Sequence, residues 1–335
     1  MFNGFQDLEN KILRTPLDSK ITFSDDPLRI LRAIRFASTL QMQIGEEEKI
    51  AIKKTSNRLS IISFERISCE LNKILMSEKP SVGFLLMDEL DILKYVLPEM
   101  ILLKGTETIN NFTHKENFLH TLKVIDNVSS KSDNIWLRWA ALLHDIAKPQ
   151  TKRFDPMLGF TFHGHEILGS KMVVEIFRRL KLPLNEKMLY VKKLVKMHLR
   201  PIVIAQENIT DSAVRRLAYE SGEEIKDLML LCRADITSNN PEKINKYLSN
   251  FDKIEKKIED VNNKDKLKSF KLKISGEDIM KTFGLKPCKI IGIIKEEIKN
   301  SVIDHGIENS FEVLFNLMLE IGKKYNLEKT NENEI

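Results

Sequence analysis

The sequence predicts an all-α fold, and two observations support that class. Glycine and proline are scarce, with 13 Gly and 10 Pro in 335 residues, roughly 7% against an average near 12%. An all-β chain or a doubly wound α/β chain needs more turn residues than that. Apolar residues recur at intervals of three and four along most of the chain, as in amphipathic helices. No apolar run reaches the ~18 residues of a membrane span, and the N-terminus has no signal-peptide pattern.

Composition excludes several classes of protein. A hydrophobic content of 42% is too high for a disordered chain. The net charge of +5, from 53 basic and 48 acidic residues, permits a polyanionic partner without requiring one. Cys69, Cys232 and Cys288 are isolated and odd in number, which argues against a disulfide framework and a cysteine-type zinc site. We therefore expect a cytoplasmic protein with no membrane partner.

The first helical segment is expected to begin near Ser24. Ser24 can cap a helix and Pro27 suits a first turn, and Leu28, Leu31 and Ile34 follow at helical spacing. Helical periodicity then continues to residue 103, with breaks at prolines 80 and 98.

Three further helices are expected in the middle and the last part of the chain. Residues 135–147 hold ten apolar residues in thirteen, which predicts a helix buried nearly all round. A stripe with steps of three and four predicts one long helix of about 30 Å, formed by Ile244, Leu248, Phe251, Ile254, Ile258 and Val261. Residues 262–273 carry five lysines and are expected to form a basic linker, with another helix from Gly276.

Histidines and aspartates concentrate in one part of the chain. Six of the seven histidines lie between residues 114 and 198. His144 and Asp145 are placed at the end of the buried 135–147 helix, and Asp235 and His198 each fall on the apolar stripe of their own helices. Because burial of an isolated carboxylate is costly, such aspartates are expected to be ion-paired or metal-bound.

A set of imidazoles and carboxylates is suited to a divalent ion such as Mg, Mn, Ni, Co, Zn or Fe. A metal held in this way can lower the pKa of bound water and polarise a phosphoryl oxygen. Taken singly, each residue has another interpretation, since a histidine on an apolar face is commonly a hydrogen-bonded core residue and a buried aspartate a cap. The series in chain order is His120, His144, Asp145, His165, His198 and Asp235.

This series resembles the HD superfamily of metal-dependent phosphohydrolases, whose signature is His…His-Asp…Asp on a helical bundle. The resemblance implies that His120, His144 and Asp235 are terminal metal ligands and that Asp145 is both a ligand and a catalytic residue. It also implies that Lys148 neutralises a phosphate. His165 and His198 would complete a second metal position or hold the phosphate. Ala147 stands where the family usually has glycine, a departure that concerns packing more than ligation.

A second resemblance covers almost the whole chain. The stretch from Ser24 to Ala37, Ser-Asp-Asp-Pro-Leu-Arg-Ile-Leu-Arg-Ala-Ile-Arg-Phe-Ala, resembles the nucleotide-recognition motif of class II tRNA nucleotidyltransferases and poly(A) polymerases. Residues 62–71 resemble that family's neck, and residues 275–287 its RNA-binding tail. The resemblance implies tRNA and CTP or ATP as partners, with Asp26, Arg29 and Arg32 at the nucleotide. The alternative for Asp26 and Arg29 is a solvated i, i+3 salt bridge.

The resemblance divides the chain into four expected segments, arranged as an elongated helical array. Residues 1–20 would be a remnant of the nucleotidyltransferase head, 21–105 the neck, 106–240 the HD body and 241–335 the tail. Nucleotidyl transfer needs paired carboxylates beside a Gly-Ser turn. The sequence has no Asp-x-Asp, and its one Gly-Ser pair, Gly169-Ser170, lies in a helical pattern. We therefore expect a chain without the catalytic head, which would be supplied upstream or separately.

Three functional hypotheses remain. The first is the neck, body and tail of a tRNA nucleotidyltransferase, which bind tRNA and the incoming base. The second is a stand-alone HD phosphohydrolase that acts on 2′,3′-cyclic phosphates or phosphomonoesters. The third is a non-catalytic RNA-binding fragment, and the intact histidine and aspartate series argues against it. Whether this chain is itself an enzyme stays open at this point.

Overall fold

The computed structural model describes residues 4–110, 112–114, 116–206, 209–237, 240–265 and 272–330. Within these ranges the chain forms nineteen α-helices, and its six strands have two or three residues each. The all-α class is therefore confirmed. None of the helices in the described part of the chain has the length and apolar character needed to cross a lipid bilayer.

The first half of the chain contains ten of these helices. Their bounds are α1 Gly4–Glu9, α2 Ser19–Asp25, α3 Leu28–Leu40, α4 Glu46–Thr55, α5 Phe64–Leu75, α6 Pro80–Glu89, α7 Leu93–Val96, α8 Asn117–Ser129, α9 Ile135–Leu143 and α10 Lys148–Thr151. The second half contains the other nine. Their bounds are α11 His165–Arg179, α12 Glu186–Met197, α13 Leu199–Gln206, α14 Asp211–Ser221, α15 Ile225–Asp235, α16 Pro241–Asp265, α17 Gly276–Phe283, α18 Lys289–His305 and α19 Phe311–Lys324.

The strands form three separate pairs. The bounds are β1 Ile12–Leu13, β2 Gln43–Ile44, β3 Glu107–Ile109, β4 Phe112–His114, β5 Arg153–Asp155 and β6 Gly159–Thr161. Strands β1 and β2 pair in parallel, whereas β3–β4 and β5–β6 are antiparallel hairpins. The two hairpins contact each other through β4 and β6.

The chain divides into two compact units. The first comprises the described residues of Met1–Leu199 and Asp227–Ile244, and the second those of Arg200–Lys226 and Asn245–Ile335. The boundaries of the four segments expected from the sequence stay a prediction.

The core of the first unit follows the apolar stripes read from the sequence. Ile30, Leu31 and Ile34 of α3 are fully buried, where α3 packs on α5 and α6. Trp139 of α9 is also fully buried, and its ring centroid lies 6.0 Å from that of Phe177.

A buried arginine joins α9 to the end of α5. Arg138 is 2% exposed, and its guanidinium donates to five oxygens, namely Leu75 O at 2.7 Å, Ser77 O at 3.0 Å, Ser132 O at 3.0 Å, Ser129 O at 3.3 Å and Asp133 Oδ1 at 3.2 Å. Beside it, Trp139 Nε1 donates to Asn72 Oδ1 at 2.8 Å. These bonds fix α9, the helix directly before His144 and Asp145, against the segment expected to be the neck.

The second unit has its own core. The apolar faces of α17, α18 and α19 meet around Ile279, Phe283, Ile294, Ile298 and Met318. Ser275 and Asp278 form a capping box that starts α17 at the expected residue.

The long helix of the second unit is confirmed, with a later end than expected. Phe251, Ile254 and Ile258 are buried, and α16 continues to Asp265 rather than ending at residue 261. The side chain of Val261 lies outside the described residues, as do Lys266, Lys268 and Lys271 of the expected basic linker.

Two local expectations were wrong, and the first concerns the helix start at Ser24. Ser24 lies inside α2 instead of capping a helix, because Asp18 caps α2 by accepting from Ile21 N at 2.9 Å. The Asp26 carboxylate takes the expected capping role for α3, with Leu28 N donating to Oδ1 at 3.2 Å.

The second wrong expectation concerns the buried helix over 135–147, which ends before residue 147. It stops at residue 143, and a turn follows in which Lys148 N donates to Asp145 O at 2.9 Å. His144 and Asp145 therefore lie just beyond the helix rather than within it.

We expect Arg138→Met to lower the free energy of unfolding of the first unit by about 3 kcal/mol, because it leaves the buried carbonyls of Leu75 and Ser77 without their donor. Both tryptophans lie in α9, so urea denaturation followed by tryptophan fluorescence reports on this unit. The control Arg58→Met changes an exposed arginine and should shift stability by less than about 0.5 kcal/mol. Equal effects of the two variants would contradict this role of Arg138.

Candidate metal centre

The structure brings all six expected metal residues together within the first unit. Each lies at or near the end of a helix. The ends of several helices meet at this point and bring the six side chains together. His120 lies in α8, His144 and Asp145 follow α9, His165 begins α11, His198 follows α12, and Asp235 ends α15. His144, Asp145, His165 and His198 are buried.

The six side chains form two groups that could each hold a metal ion. His120, His144 and Asp235 make one group, and Asp145, His165 and His198 make the other. Within each group the candidate ligand atoms all lie within 4.8 Å of one another. His120 Nε2 lies 2.9 Å and His144 Nε2 3.4 Å from Asp235 Oδ1.

Asp145 connects the two groups. Its Oδ1 faces His165 Nε2 at 3.3 Å and His198 Nε2 at 3.8 Å. Its Oδ2 faces His144 Nε2 at 3.3 Å and His120 Nε2 at 3.5 Å. One carboxylate therefore points one oxygen into each group.

Backbone carbonyls orient three of the histidines in the same way. The Nδ1 atoms of His144, His165 and His198 lie 2.7–2.8 Å from the carbonyl oxygens of the third residue before each, namely Ala141, Phe162 and Val195. A carbonyl can only accept, so each Nδ1 carries the proton. Each Nε2 is thereby directed into the cluster as a potential ligand, the arrangement that metal-binding histidines commonly have.

Two contacts in the cluster fit a cation. His144 Nε2 is completely buried and makes no regular hydrogen bond, although Asp145 Oδ2 lies 3.3 Å and Asp235 Oδ1 3.4 Å from it. The Nε2 atoms of His165 and His198 face each other at 3.3 Å. When both rings carry their proton on Nδ1, two lone pairs meet there, and a cation relieves the repulsion. The residues present therefore fit a divalent ion.

The charges of the cluster shift the pKa values of its members. Burial on its own lowers the pKa of His144, but the carboxylates of Asp145 and Asp235 outweigh burial and raise this pKa to about 10. Burial and the charge of His144 lower the pKa of His198 to about 4. Burial opposes ionisation of Asp145, yet His144 and Lys148 hold its pKa well below the usual range. The site therefore favours ionised carboxylates and attracts positive charge.

A lysine lies at the edge of the cluster. Lys148 Nζ contacts Asp145 Oδ2 at 2.6 Å, and the lysine side chain is 21% exposed. The ammonium group thus contacts the buried carboxylate from a partly exposed position.

Close packing of α11 against α12 brings His165 and His198 together. A Cβ atom at Gly169 would lie 3.2 Å from Val195 Cγ1 of α12 and 3.7 Å from the Cβ of Ala147. Glycine at 169 therefore permits the close approach, and the methyl group of Ala147 faces the space that this glycine leaves open.

The side chains of Asp26 and Arg29, which were expected either at a nucleotide or in a salt bridge with each other, have other partners. Asp26 pairs with Arg66, whose Nη2 lies 3.2 Å from Oδ2, and Arg29 Nη1 donates to Thr22 O at 3.2 Å. Arg29 and Arg32 both line a cavity of about 320 Å³ beside Phe23. Their role at a nucleotide stays a prediction.

Sequence reasoning missed two partners of the site residues. Thr237 Oγ1 lies 2.8 Å from His120 Nδ1 and orients that ring, and Arg66 holds Asp26. These pairs are separated by 117 and 40 positions in the sequence. No pattern of nearby residues predicts these pairs. The one available signal is that Thr237 lies two residues after Asp235.

Two family models match parts of the chain. Residues 41–103 match the "Probable RNA and SrmB-binding site of polymerase A", and residues 117–240 match the HD domain. All six residues of the cluster lie within the HD match.

Curated relatives match over about 70% of the chain. The A-adding tRNA nucleotidyltransferase of Deinococcus radiodurans is 32% identical over 240 residues, which are 69% of this chain and 53% of that protein. The multifunctional CCA protein of Tolumonas auensis is 28% identical over 243 residues, 70% of this chain and 58% of that protein. The chain thus spans a little over half the length of these relatives.

Solved structures share the fold. The CCA-adding enzyme of Bacillus stearothermophilus in complex with CTP superposes with a TM-score of 0.65 and 18% identity, covering 97% of this chain and 69% of that chain. The CCA-adding enzyme of Thermotoga maritima complexed with tRNA has a TM-score of 0.51 and 19% identity, covering 96% and 67%. Together with the family matches, these findings confirm the resemblance that the sequence motifs indicated.

Proposed function

Because the chain belongs to the tRNA nucleotidyltransferase and poly(A) polymerase family and matches its C-terminal part, we propose that it acts in the processing of tRNA 3′ ends. In this role it binds tRNA and the base of the incoming CTP or ATP. The single observation that carries the proposal is the match of residues 41–103 to an RNA-binding region directly before the HD match.

Nucleotidyl transfer in this proposal depends on a head domain, upstream or on a separate chain, because this sequence has no Asp-x-Asp. The cytoplasm is the proposed location, since the three cysteines are free and suit a reducing compartment.

We expect tRNA to bind through phosphate contacts, with an affinity that falls steeply as salt rises. The lysines of residues 262–273 are proposed as contacts. Lys266→Gln combined with Lys268→Gln should lower the slope of log K against log [KCl] by about 2, measured by filter binding. The control pair Lys181→Gln and Lys187→Gln changes exposed lysines of the HD match and should leave the slope unchanged. Salt-independent binding, or equal slopes in all variants, would refute phosphate recognition by this segment.

The cavity lined by Arg29 and Arg32 is proposed to hold the incoming base. The Arg29 guanidinium presents donors to this cavity. The Asp26 carboxylate, which is not part of the lining, is proposed as the acceptor, and together the two groups can match a nucleobase edge. Arg66 holds Asp26 in place, which preorganises that acceptor.

We expect Arg29→Ala to relax the choice between CTP and ATP in a chain joined to a nucleotidyltransferase head, because the paired donors are lost. The measurement is the ratio of C to A added to tRNA that lacks its 3′ end. Lys20→Ala, an exposed change on α2, serves as the control. An unchanged ratio in Arg29→Ala would reduce this arginine to a structural residue.

A second candidate function is phosphohydrolysis in the HD domain, and the two connected ligand groups around Asp145 favour it. His120, His144, Asp145 and Asp235 would hold a divalent ion, with His165 and His198 at a second ion or at the phosphate. When bound, such an ion supplies Lewis acidity and lowers the pKa of a bound water.

The chain's own residues would do the rest of the work. Lys148 reaches the solvent side of Asp145 and would offset the charge of the phosphate oxygens. Asp145 would position the attacking water. Hydrolysis of a 2′,3′-cyclic phosphate forms one bond from water oxygen to phosphorus, breaks one P–O bond to the ribose and leaves a proton on the ribose oxygen.

We expect the purified chain to take up Mn²⁺, Ni²⁺ or Co²⁺ and to hydrolyse 2′,3′-cAMP. Asp145→Asn should lose the metal by elemental analysis and at least about 100-fold of the activity, while its circular dichroism stays helical. Asp91→Asn alters an exposed aspartate and should change neither. A wild-type chain that binds no divalent ion would instead support the non-catalytic RNA-binding fragment.

A further inference from the structure

The hydrogen-bond partner of His120 differs in kind from the partners of the other cluster histidines. The Nδ1 atoms of His144, His165 and His198 each face a backbone carbonyl, which can only accept a hydrogen bond. His120 Nδ1 instead faces the side-chain hydroxyl of Thr237, and the two atoms lie 2.8 Å apart. A hydroxyl both donates and accepts, so this contact is compatible with either neutral tautomer of His120.

The other ring nitrogen of His120 faces two carboxylates. Nε2 lies 2.9 Å from Asp235 Oδ1 and 3.5 Å from Asp145 Oδ2. An ionised carboxylate only accepts hydrogen bonds, so Nε2 of a neutral ring carries the proton when it bonds directly to Asp235. Nδ1 then has a lone pair, which accepts the hydrogen of the Thr237 hydroxyl. Both nitrogens of the ring are satisfied in this tautomer.

The same ring needs the opposite tautomer when it is a metal ligand. Coordination uses the lone pair of Nε2, so the proton has to lie on Nδ1. Rotation of the Thr237 hydroxyl about its C–O bond turns an oxygen lone pair toward Nδ1, and the ring N–H then donates to it. The hydrogen bond between His120 and Thr237 is kept in both cases, and only its direction reverses.

Packing holds the hydroxyl beside the ring. Thr237 lies two residues after Asp235, in the segment that follows α15, and is half-buried. Asn127 Nδ2 of α8 donates to Ala234 O at 2.9 Å, which ties the end of α15 to the helix that carries His120. The hydroxyl and the carboxylate therefore approach different nitrogens of one ring from the same short segment of chain.

We propose that Thr237 is a positioning residue that allows His120 to exchange tautomers when a divalent ion binds. His120 donates from Nε2 to Asp235 without the ion, and from Nδ1 to Thr237 with it. The ring stays neutral throughout, because one proton leaves Nε2 and one is taken up on Nδ1. This inference rests on the metal centre of the proposed phosphohydrolase and adds a residue to it that orients a ligand without touching the ion.

The first part of the test measures the ring tautomer on the full chain. In protein labelled with ¹⁵N-histidine, the ring nitrogen shifts distinguish a proton on Nδ1 from one on Nε2, and the spectrum of His120→Asn identifies the His120 signals. Zn²⁺ is the probe, because it is a diamagnetic ion that histidine and carboxylate ligands bind. Wild type should carry the His120 proton on Nε2 after dialysis against EDTA and on Nδ1 after saturation with Zn²⁺.

The second part measures Zn²⁺ affinity by competition with a chromophoric chelator. Thr237→Val should weaken binding about tenfold, because the N–H of a metal-bound ring loses its acceptor. Thr237→Ser keeps a hydroxyl and should stay within about twofold of wild type. Thr121→Val is the matched control, since Thr121 adjoins His120 and its buried hydroxyl makes no hydrogen bond with the described residues. Its Zn²⁺ affinity should be unchanged, and circular dichroism checks that each variant is folded.

The outcomes separate the exchange from the metal centre. A His120 proton on Nδ1 before Zn²⁺ is added, or equal affinities of Thr237→Val and wild type, would overturn the exchange while the metal centre stands. Equal losses in the serine and valine variants of Thr237, or an equal loss in Thr121→Val, would also overturn it, because the hydroxyl would then not be the cause. A wild-type chain that binds no Zn²⁺ would refute the metal centre and the exchange together.

Discussion

The buried carboxylate of Asp145 is the constraint on which the rest of the site depends. At 2% exposure, an ionised carboxylate needs compensation that an apolar helix bundle does not offer. The chain supplies it from four directions, with three histidines within 3.5 Å and Lys148 at 2.6 Å. Helices α8, α9, α11 and α12 bring their polar residues together at this point. The apolar faces of the same helices form the core.

The histidines are oriented by the same helices that carry them. In three cases the ring N–H donates to a backbone carbonyl of the preceding turn. Carbonyls at a helix end or in a turn lack helical hydrogen-bond partners, so the ring also satisfies one of them. Each ring is therefore fixed with its second nitrogen directed at the cluster. A cation placed there would compensate the two carboxylates and separate the facing lone pairs of His165 and His198. The arrangement thus combines local helix termination with preorganisation for a metal.

Much of this arrangement follows from sequence pattern, and the exceptions have physical causes. The stripe in α16 and the burial of Leu228, Leu231 and Cys232 ahead of Asp235 are local and periodic. The burial of Asp235 was therefore predictable from the apolar pattern, whereas His120 and His165 joined the set only through their place in the histidine and aspartate series. The early end of α9 at Leu143 has no counterpart in the apolar pattern, which continues to Ala147. The pairing of Asp26 with Arg66 rather than Arg29 depends on tertiary contact across 40 positions, which spacing does not encode.

The most direct test of this account locates the metal. In crystals soaked with MnCl₂, anomalous diffraction at the manganese edge should show a peak among His120, His144, Asp145 and Asp235. A second peak beside His165 and His198 would indicate that both groups bind an ion. Anomalous peaks confined to surface carboxylates, or none at all with Mn²⁺ in excess, would contradict the claim that Asp145 organises a divalent metal centre.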